Sequence, residues 1–445
     1  MIIIGNSSLI FDFIYIFGKK NTNQYIELPL GCTDEAAFFL FRKAVEGHPG
    51  DVVICTQNEF YVKEELQLFG LKACTDYYFF SNLKAIFLEN QRRNGMKREE
   101  ATHLWELYVE IFFSPHGRYY PCHHPLYEAE IASDGNVYTC CSAVMPYEIG
   151  NIQKESLGKI WHSARARLLR LSVLNGTAIF CSQEKCENLQ LCDRTETFFS
   201  TQVSDYPLIL NMAIDSSCNL SCPSCRPRVI SANGKEIQKK IGWVNNIEQA
   251  LYANLRHLYI AGNGECMVSK VYQDFLRNRV MRCFSGNLHL VTNGQVWNDT
   301  LINMIVSRFC PEVLISVDAW RKETYETLRR GGCYEKVLIN IKKYVALKKQ
   351  GVLSCVTVRF VVQASNYLEI PEFVDGMRNL EVDRMEFTRL VDGGSFTPEA
   401  FRQASLIDET GNLKQEYIYF FKENIWPRLG QDIHMDATFL SRGNL

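Results

Sequence analysis

The sequence predicts an α/β protein of more than one domain, and three observations carry that reading. The apolar stretch 208–214 reads as a buried strand, and the segments 258–260, 288–290, 313–317, 356–362 and 384–387 read as further strands from the order of the motifs set out below, the last two each preceded by a helical stretch. A smaller set of the same kind opens the chain. With 445 residues, 47% of them hydrophobic and 22% charged, the chain has the length and composition for two or three cored domains rather than for disorder.

Residues 1–95 form the first predicted unit, a small Rossmann-like α/β domain. Residues 1–5 and 51–55 read as buried strands, and the periodic segment 60–69, stopped by Gly70, as an amphipathic helix. Gly5-Asn6-Ser7 lacks the G-x-G-x-x-G spacing that lets a backbone approach a pyrophosphate, so a docking role is preferred to nucleotide binding. The charged stretch 90–100 marks a boundary, as a solvated linker or helix face.

A formal net charge of -2 provides no footprint for a polyanion, so nucleic acid is not an expected partner. Seventeen cysteines in so long a chain, an odd number, fit a reducing cytoplasm and cluster ligation better than disulfides. Cys32, Cys55, Cys74, Cys266, Cys283, Cys310, Cys333 and Cys355 are scattered and read as buried thiols. The apolar start, residues 1–17, contains Asp12 and has neither a basic leader nor a small-residue cleavage site, and no membrane span is expected.

The most informative motif is Ser217-Cys218-Asn219-Leu220-Ser221-Cys222-Pro223-Ser224-Cys225, directly after the apolar run 208–214. Its spacing, C-x3-C-x2-C, puts three thiolates on one loop. They can ligate three irons of a 4Fe-4S cube and leave the fourth open to a small molecule. Zinc is the weaker reading, because a closed site needs four ligands in C-x2-C pairs.

This loop resembles that of the radical S-adenosylmethionine (AdoMet) enzymes, where it follows the first strand of a partial (β/α)6 barrel. Further matches come in the expected order: the Gly-Glu turn at Gly264-Glu265, the Thr-Asn-Gly strand end at Thr292-Asn293-Gly294, Ser316 and Asp318 closing a fourth strand, and Arg359 on a fifth. The resemblance spans about 205–395 and implies AdoMet as a cofactor on a [4Fe-4S] cluster with an open iron, held by Cys218, Cys222 and Cys225. Gly264, Glu265, Asn293, Ser316, Asp318 and Arg359 would line the cofactor pocket, with Glu265 on the methionine amine. Three positions depart from the pattern: Ser224 for an aromatic, Asn263 for a glycine and Cys266 for a proline.

Residues 115–200 carry a second group. Cys122, the turn Asp134-Gly135, Cys140, Gly150, Trp161, and then Cys181 and Cys186 follow one another in the order of the SPASM or twitch domain, which holds auxiliary iron–sulfur clusters. By this resemblance Cys122, Cys140, Cys181 and Cys186 would hold one auxiliary [4Fe-4S] cluster, with Cys140 rather than Cys141 as the ligand, Cys192 a spare or part of a second site, and His123 and His124 lining the surface near the cluster. A structural zinc on the same four thiolates is the alternative. The domain stands before the barrel, where the family places it after. A linker over 193–207 leads back to the first strand, and fifteen extended residues span about 50 Å. Residues 396–445 are expected to be a helical extension.

The resemblance implies an enzyme that reductively cleaves AdoMet to a 5'-deoxyadenosyl radical and abstracts a hydrogen atom from a ribosomally made peptide, with flavodoxin or ferredoxin as reductant. Radical oxidation or epimerisation of a carbohydrate or cyclitol is the alternative substrate reading. A non-catalytic electron-transfer protein and a degenerate scaffold are the alternatives of other classes. Cys266 and Cys333 are further candidates as hydrogen donors, or else plain buried thiols.

Overall fold

The computed structural model describes residues 2–5, 24–27, 34–47, 52–55, 62–63, 66–67, 71, 77–79, 84–93, 96–113, 119–174, 176–182, 186, 188–189, 203–260, 264–392, 395–408 and 411–440. The chain divides into two compact units, one of residues 1–125, 162–180 and 189–202, the other of 126–161, 181–188 and 203–445. The expected segment 115–200 is therefore shared between the units rather than standing alone. Most of the predicted helix 60–69, the linker, Cys192 and Asn263 fall outside the described residues.

In the first unit, β1 (Ile2–Gly5), β2 (Gln24–Glu27), β3 (Val52–Cys55) and β4 (Tyr77–Phe79) form a parallel sheet in the order β2-β1-β3-β4. All four residues of β3 are buried, as an uninterrupted apolar run requires when both faces of a parallel sheet are covered. Phe41 and Val45, one helical turn apart on the helix Asp34–Gly47, pack on Ile4, Val52 and Ile54. The helices Lys84–Arg93 and Arg98–Phe113 follow, Phe87 of the first lying 5.3 Å from the rings of both Trp105 and Tyr108 on the second. The charged stretch 90–100 is thus the end of one helix and the start of the next. A later helix, Ala164–Leu174, joins them through Tyr108 Oη, which donates to Ala164 O at 2.7 Å, and an Arg165–Glu100 ion pair at 3.0 Å.

The second unit is built on a ten-stranded, mostly parallel sheet. Its heart is six parallel strands in sequence order: β8 (Ile209–Met212), β9 (His257–Ile260), β10 (Asn287–Thr292), β11 (Glu312–Ser316), β12 (Cys355–Val362) and β13 (Arg384–Arg389). Helices occupy the connections, among them Gly234–Val244, Lys270–Phe275, Asp299–Val306, Tyr334–Lys349 and Ile370–Asn379. Their starts are written in the sequence. Asn233 closes a capping box with Glu236, and Ser269 and Asn298 accept backbone N–H bonds at the next two. Leu210, Leu258, Leu290, Ile315, Val358 and Phe387 fill one face of the sheet, while the other face carries polar, half-buried residues such as Asn211, Tyr259, His289, Glu312, Arg359 and Glu386.

Two features of this sheet differ from expectation. The hairpin β5 (Glu128–Ile131) and β6 (Asn136–Tyr138), with β7 (Gly150–Asn151), extends the sheet: β5 runs parallel to β8, with Ala129 opposite Leu210. Its turn is as expected, with Gly135 at φ 86° and Asn136 N donating to Asp134 Oδ1 at 3.0 Å. The tail is helical over Gln415–Phe420, but β14 (Ile433–Met435) then adds a further parallel strand beside β13. No described helix is long and apolar enough to cross a membrane.

The helix Ile370–Asn379 is seated through a glycine. A Cβ at Gly376 would lie 2.1 Å from the Trp320 ring, a rigid aromatic neighbour. Gly376→Ala is therefore expected to cost about 1–3 kcal/mol by overpacking, read as a lowered thermal midpoint; an unchanged midpoint would count against this packing.

Candidate active site: the cysteine loop and the strand ends

The three cysteines lie on the loop that leaves β8, and the loop is tied on every side. Cys218 N donates to Ile230 O at 2.8 Å, and Ser221 N to Arg330 O at 3.0 Å. Cys225 N and Arg226 N both donate to Cys222 O, at 2.9 and 3.0 Å, so the last two cysteines share one tight turn. Glu265 N donates to Ser217 O at 2.8 Å, joining the loop to the end of β9. That junction admits only glycine before it, because a Cβ at Gly264 would sit 2.3 Å from Asp215 O.

Glu265 itself is 1% exposed. Its Oε1 accepts from Thr292 Oγ1 at 2.7 Å and Met267 N at 3.1 Å, and its Oε2 from Asn293 N at 2.6 Å. Burial pushes the carboxyl up from its ordinary range, and these donors oppose that shift. The sequence reading put Glu265 on a ligand amine; the structure instead spends both its oxygens on locking β9 to β10. Asn293 likewise braces the loop, its Nδ2 donating to Asn219 Oδ1 at 3.0 Å and approaching Cys218 Sγ at 3.6 Å.

Asp318, at φ 65° and 3% exposed, pairs with Arg329 Nη2 at 2.6 Å, and its Oδ1 accepts from Val361 N at 2.8 Å. It too is committed within the protein. Ser316 and Arg359 are register partners on β11 and β12, and Arg359 forms a 2.8 Å ion pair with Glu386 of β13. Cys266 is a core thiol, 1% exposed, with Sγ 3.3 Å from Val291 O. Glu326, Cys333 and Glu335 bring their ligating atoms within 4.8 Å of one another, but Glu335 already pairs with Lys322 at 2.8 Å.

Sequence reasoning missed two arginines. Arg226 is 6% exposed, with Nε and Nη2 each 3.3 Å from Cys225 Sγ, and Nη1 donating to Ser216 O. Arg329 reaches Cys222 Sγ with Nη1 at 3.9 Å, and its buried Nε has no partner. Arginine directly after the third cysteine is the signal that was available for the first. Burial raises the Cys218 and Cys222 thiols, and Arg226 and Arg329 respectively pull them back down. Buried N–H groups converging on three thiols suit an anionic, sulfur-ligated group, so the residues present fit an iron–sulfur cluster.

Below these strand ends the polar face carries a connected row. His289 stacks on Tyr259 with ring centroids 4.1 Å apart, meets His257 Nδ1 at 3.0 Å through Nε2 and Glu312 Oε2 at 3.2 Å through Nδ1. The His289 bond and the nearby Arg384 hold Glu312 below the usual carboxylate range, and burial with the His289 charge lowers His257. At the end of β13 a cavity of ≈ 600 Å³ opens between Leu390, Phe401, Ile407 and Lys414.

Of the second cysteine group, Cys122 belongs to the first compact unit and Cys140, Cys181 and Cys186 to the second. Within the second, Ser182 N donates to Val144 O at 2.7 Å and Cys186 N to Ser182 O at 3.0 Å. These bonds bring the segment after Cys181 against the turn that follows Cys140. Cys140, Cys181 and Cys186 are half-buried and Cys141 is exposed.

Asp215 anchors the base of the cysteine loop, 1% exposed, with Lys240 Nζ at 3.1 Å and Ser269 Oγ at 2.6 Å. Burial would raise its pKa, but Ser269, Lys240 and Ser217 outweigh that and hold it below the ordinary value. A depressed folded-state pKa contributes stability above the unfolded value near 3.9 that is lost as pH falls through the folded one. Asp215→Asn is expected to cost on the order of 3 kcal/mol at pH 7, with the gap from wild type closing in urea melts taken at progressively more acid pH.

Residues 122–194 match SPASM, the iron-sulfur cluster-binding domain family. A tungsten-containing aldehyde ferredoxin oxidoreductase cofactor-modifying protein of Pyrococcus furiosus is 26% identical over 196 residues, 43% of this chain and 52% of that protein. The chain thus spans about half the length of that curated relative. Among solved structures, Streptococcus suis SuiB bound to S-adenosylmethionine aligns over 52% of this chain and 50% of its own at 16% identity, TM-score 0.37. SuiB bound to the precursor peptide SuiA aligns over 52% and 49% at 14% identity, TM-score 0.36. The chain is thus similar to SPASM iron–sulfur cluster-binding domains over residues 122–194, and its parallel sheet carries the three-cysteine loop and strand-end residues whose order resembles that of the radical AdoMet enzymes.

Proposed function

We propose that the chain is a radical AdoMet enzyme that modifies a ribosomally made peptide. One observation carries the reading: three thiols on the loop leaving the first of six parallel strands, tied through Glu265, whose backbone N–H holds the loop at Ser217 O and whose carboxylate holds the end of the third strand at Thr292 and Asn293. When bound, a [4Fe-4S] cluster with AdoMet on its open iron supplies a 5'-deoxyadenosyl radical that takes a hydrogen atom from the substrate.

The residues' own tasks follow from their placement. Cys218, Cys222 and Cys225 hold three corners of the cube. Ser316, at the end of β11, and its register partner Arg359 on β12 would position AdoMet, with Arg359 serving the methionine carboxylate while Glu386 orients the guanidinium. Gly264, Glu265, Asn293 and Asp318 keep the pocket's frame, and the six-strand sheet curves as a partial barrel around it. Cys122, Cys140, Cys181 and Cys186 hold an auxiliary cluster, to take an electron from a substrate radical. Flavodoxin or ferredoxin serves as reductant. A peptide substrate rests on the SPASM domain, which accompanies peptide maturation in the family the chain resembles. Modification of a cofactor is the second reading, favoured by the described role of the P. furiosus relative.

Anaerobically reconstituted protein is expected to bind iron and, with dithionite, to form 5'-deoxyadenosine measurable by chromatography. Alanine at Cys218, Cys222 or Cys225 should abolish that product, whereas Cys141→Ala should retain it. Zinc in place of iron in anaerobically purified protein would sink the proposal. Mass spectrometry of candidate precursor peptides tests the substrate: no mass change across short peptides encoded beside the gene would favour the cofactor reading.

A further inference from the structure

We infer that Arg226 is the resident counter-charge of the open-site cluster and raises its reduction potential, a positioning residue for the electron rather than a group that touches substrate. The inference rests on the function proposed above. It starts from an imbalance: Arg226 is 6% exposed, yet among the described residues no carboxylate lies within ion-pair distance of it. Its hydrogen bonds go to Ser216 O and, from Nε and Nη2 together, to Cys225 Sγ at 3.3 Å each. Burying a guanidinium without an opposite charge costs several kcal/mol, and a neutral thiol is too weak an acceptor to offset it. A thiolate ligated to iron is the acceptor that two converging N–H groups match.

The other two ligands are served differently. Cys222 Sγ faces Arg329, but that charge is cancelled by Asp318 at 2.6 Å. Cys218 Sγ receives neutral donors, Leu220 N at 3.4 Å and Asn293 Nδ2 at 3.6 Å. Of the three ligand sulfurs, Cys225 is therefore the one hydrogen-bonded by a cation with no carboxylate partner among the described residues. Donors and positive charge at a ligand sulfur favour the reduced state, which carries one more negative charge. Arg226 thus makes electron uptake easier at the corner of the cube nearest to it, while its bond to Ser216 O keeps the guanidinium in place.

The test is a redox titration of the reconstituted holoenzyme, followed by electron paramagnetic resonance and normalised to iron content. Arg226→Gln keeps a donor for Ser216 O but loses the charge, and its open-site midpoint is expected to move to more negative potential. Arg226→Lys keeps the charge but gives up one of the two bonds to sulfur, so its shift should be negative and smaller. Any second cluster signal should stay put in both, as an internal control. A Gln variant that holds its iron with an unchanged midpoint overturns the inference. If that variant fails to hold iron, the Lys variant decides, and an unchanged midpoint there overturns it equally. Wild-type protein that binds no iron would refute the proposed function instead, which separates the two failures.

Discussion

The carboxylate of Glu265 is the constraint on which the site depends. A carboxyl group with almost no exposure persists only if its oxygens find donors, and here the donors come from the end of β10 and from its own turn. Its backbone N–H adds the cysteine loop to the same knot, and the missing side chain of Gly264 lets Asp215 O close in from the other side. Segments some fifty and eighty residues apart are thereby held together.

Much of this was legible in the sequence. The six parallel strands could be read because the motifs at their ends come in a fixed order, and the hairpin because Asp134-Gly135 supplies both the side-chain acceptor and the positive φ of its turn. The cysteine loop was legible from spacing alone. What escaped was of another kind. The parallel pairing of β5 with β8 is a contact between segments eighty residues apart, and β14 is only three residues long with a histidine at its centre, so neither carries a local period. The strand-end residues were found but their partners were not: Glu265, Asn293 and Asp318 were expected to face a ligand, yet they hydrogen-bond or ion-pair within the protein, because burial and partner identity are decided by tertiary packing.

The two faces of the large sheet divide the labour. One is filled with aliphatic and aromatic side chains against the helices and carries the stability of the unit. The other sets Tyr259, His289 and Glu312 side by side across β9, β10 and β11, with Arg359 and Glu386 paired further along. Half-buried ionisable groups of this density are tolerated because each has an opposite charge or a ring nitrogen within reach. The polar face is thus lined with paired ionisable groups whose dipoles are held in fixed directions.

The ladder between β5 and β8 has a mechanical consequence. The hairpin leading to Cys140 and the strand leading to Cys218 are stitched together residue by residue, from Glu128 opposite Ile209 to Ile131 opposite Met212. There is no hinge in that stretch. The spacing between these two cysteine-bearing segments is therefore set by a rigid ruler of hydrogen bonds, so that groups mounted on them would be held at a length that thermal motion scarcely changes.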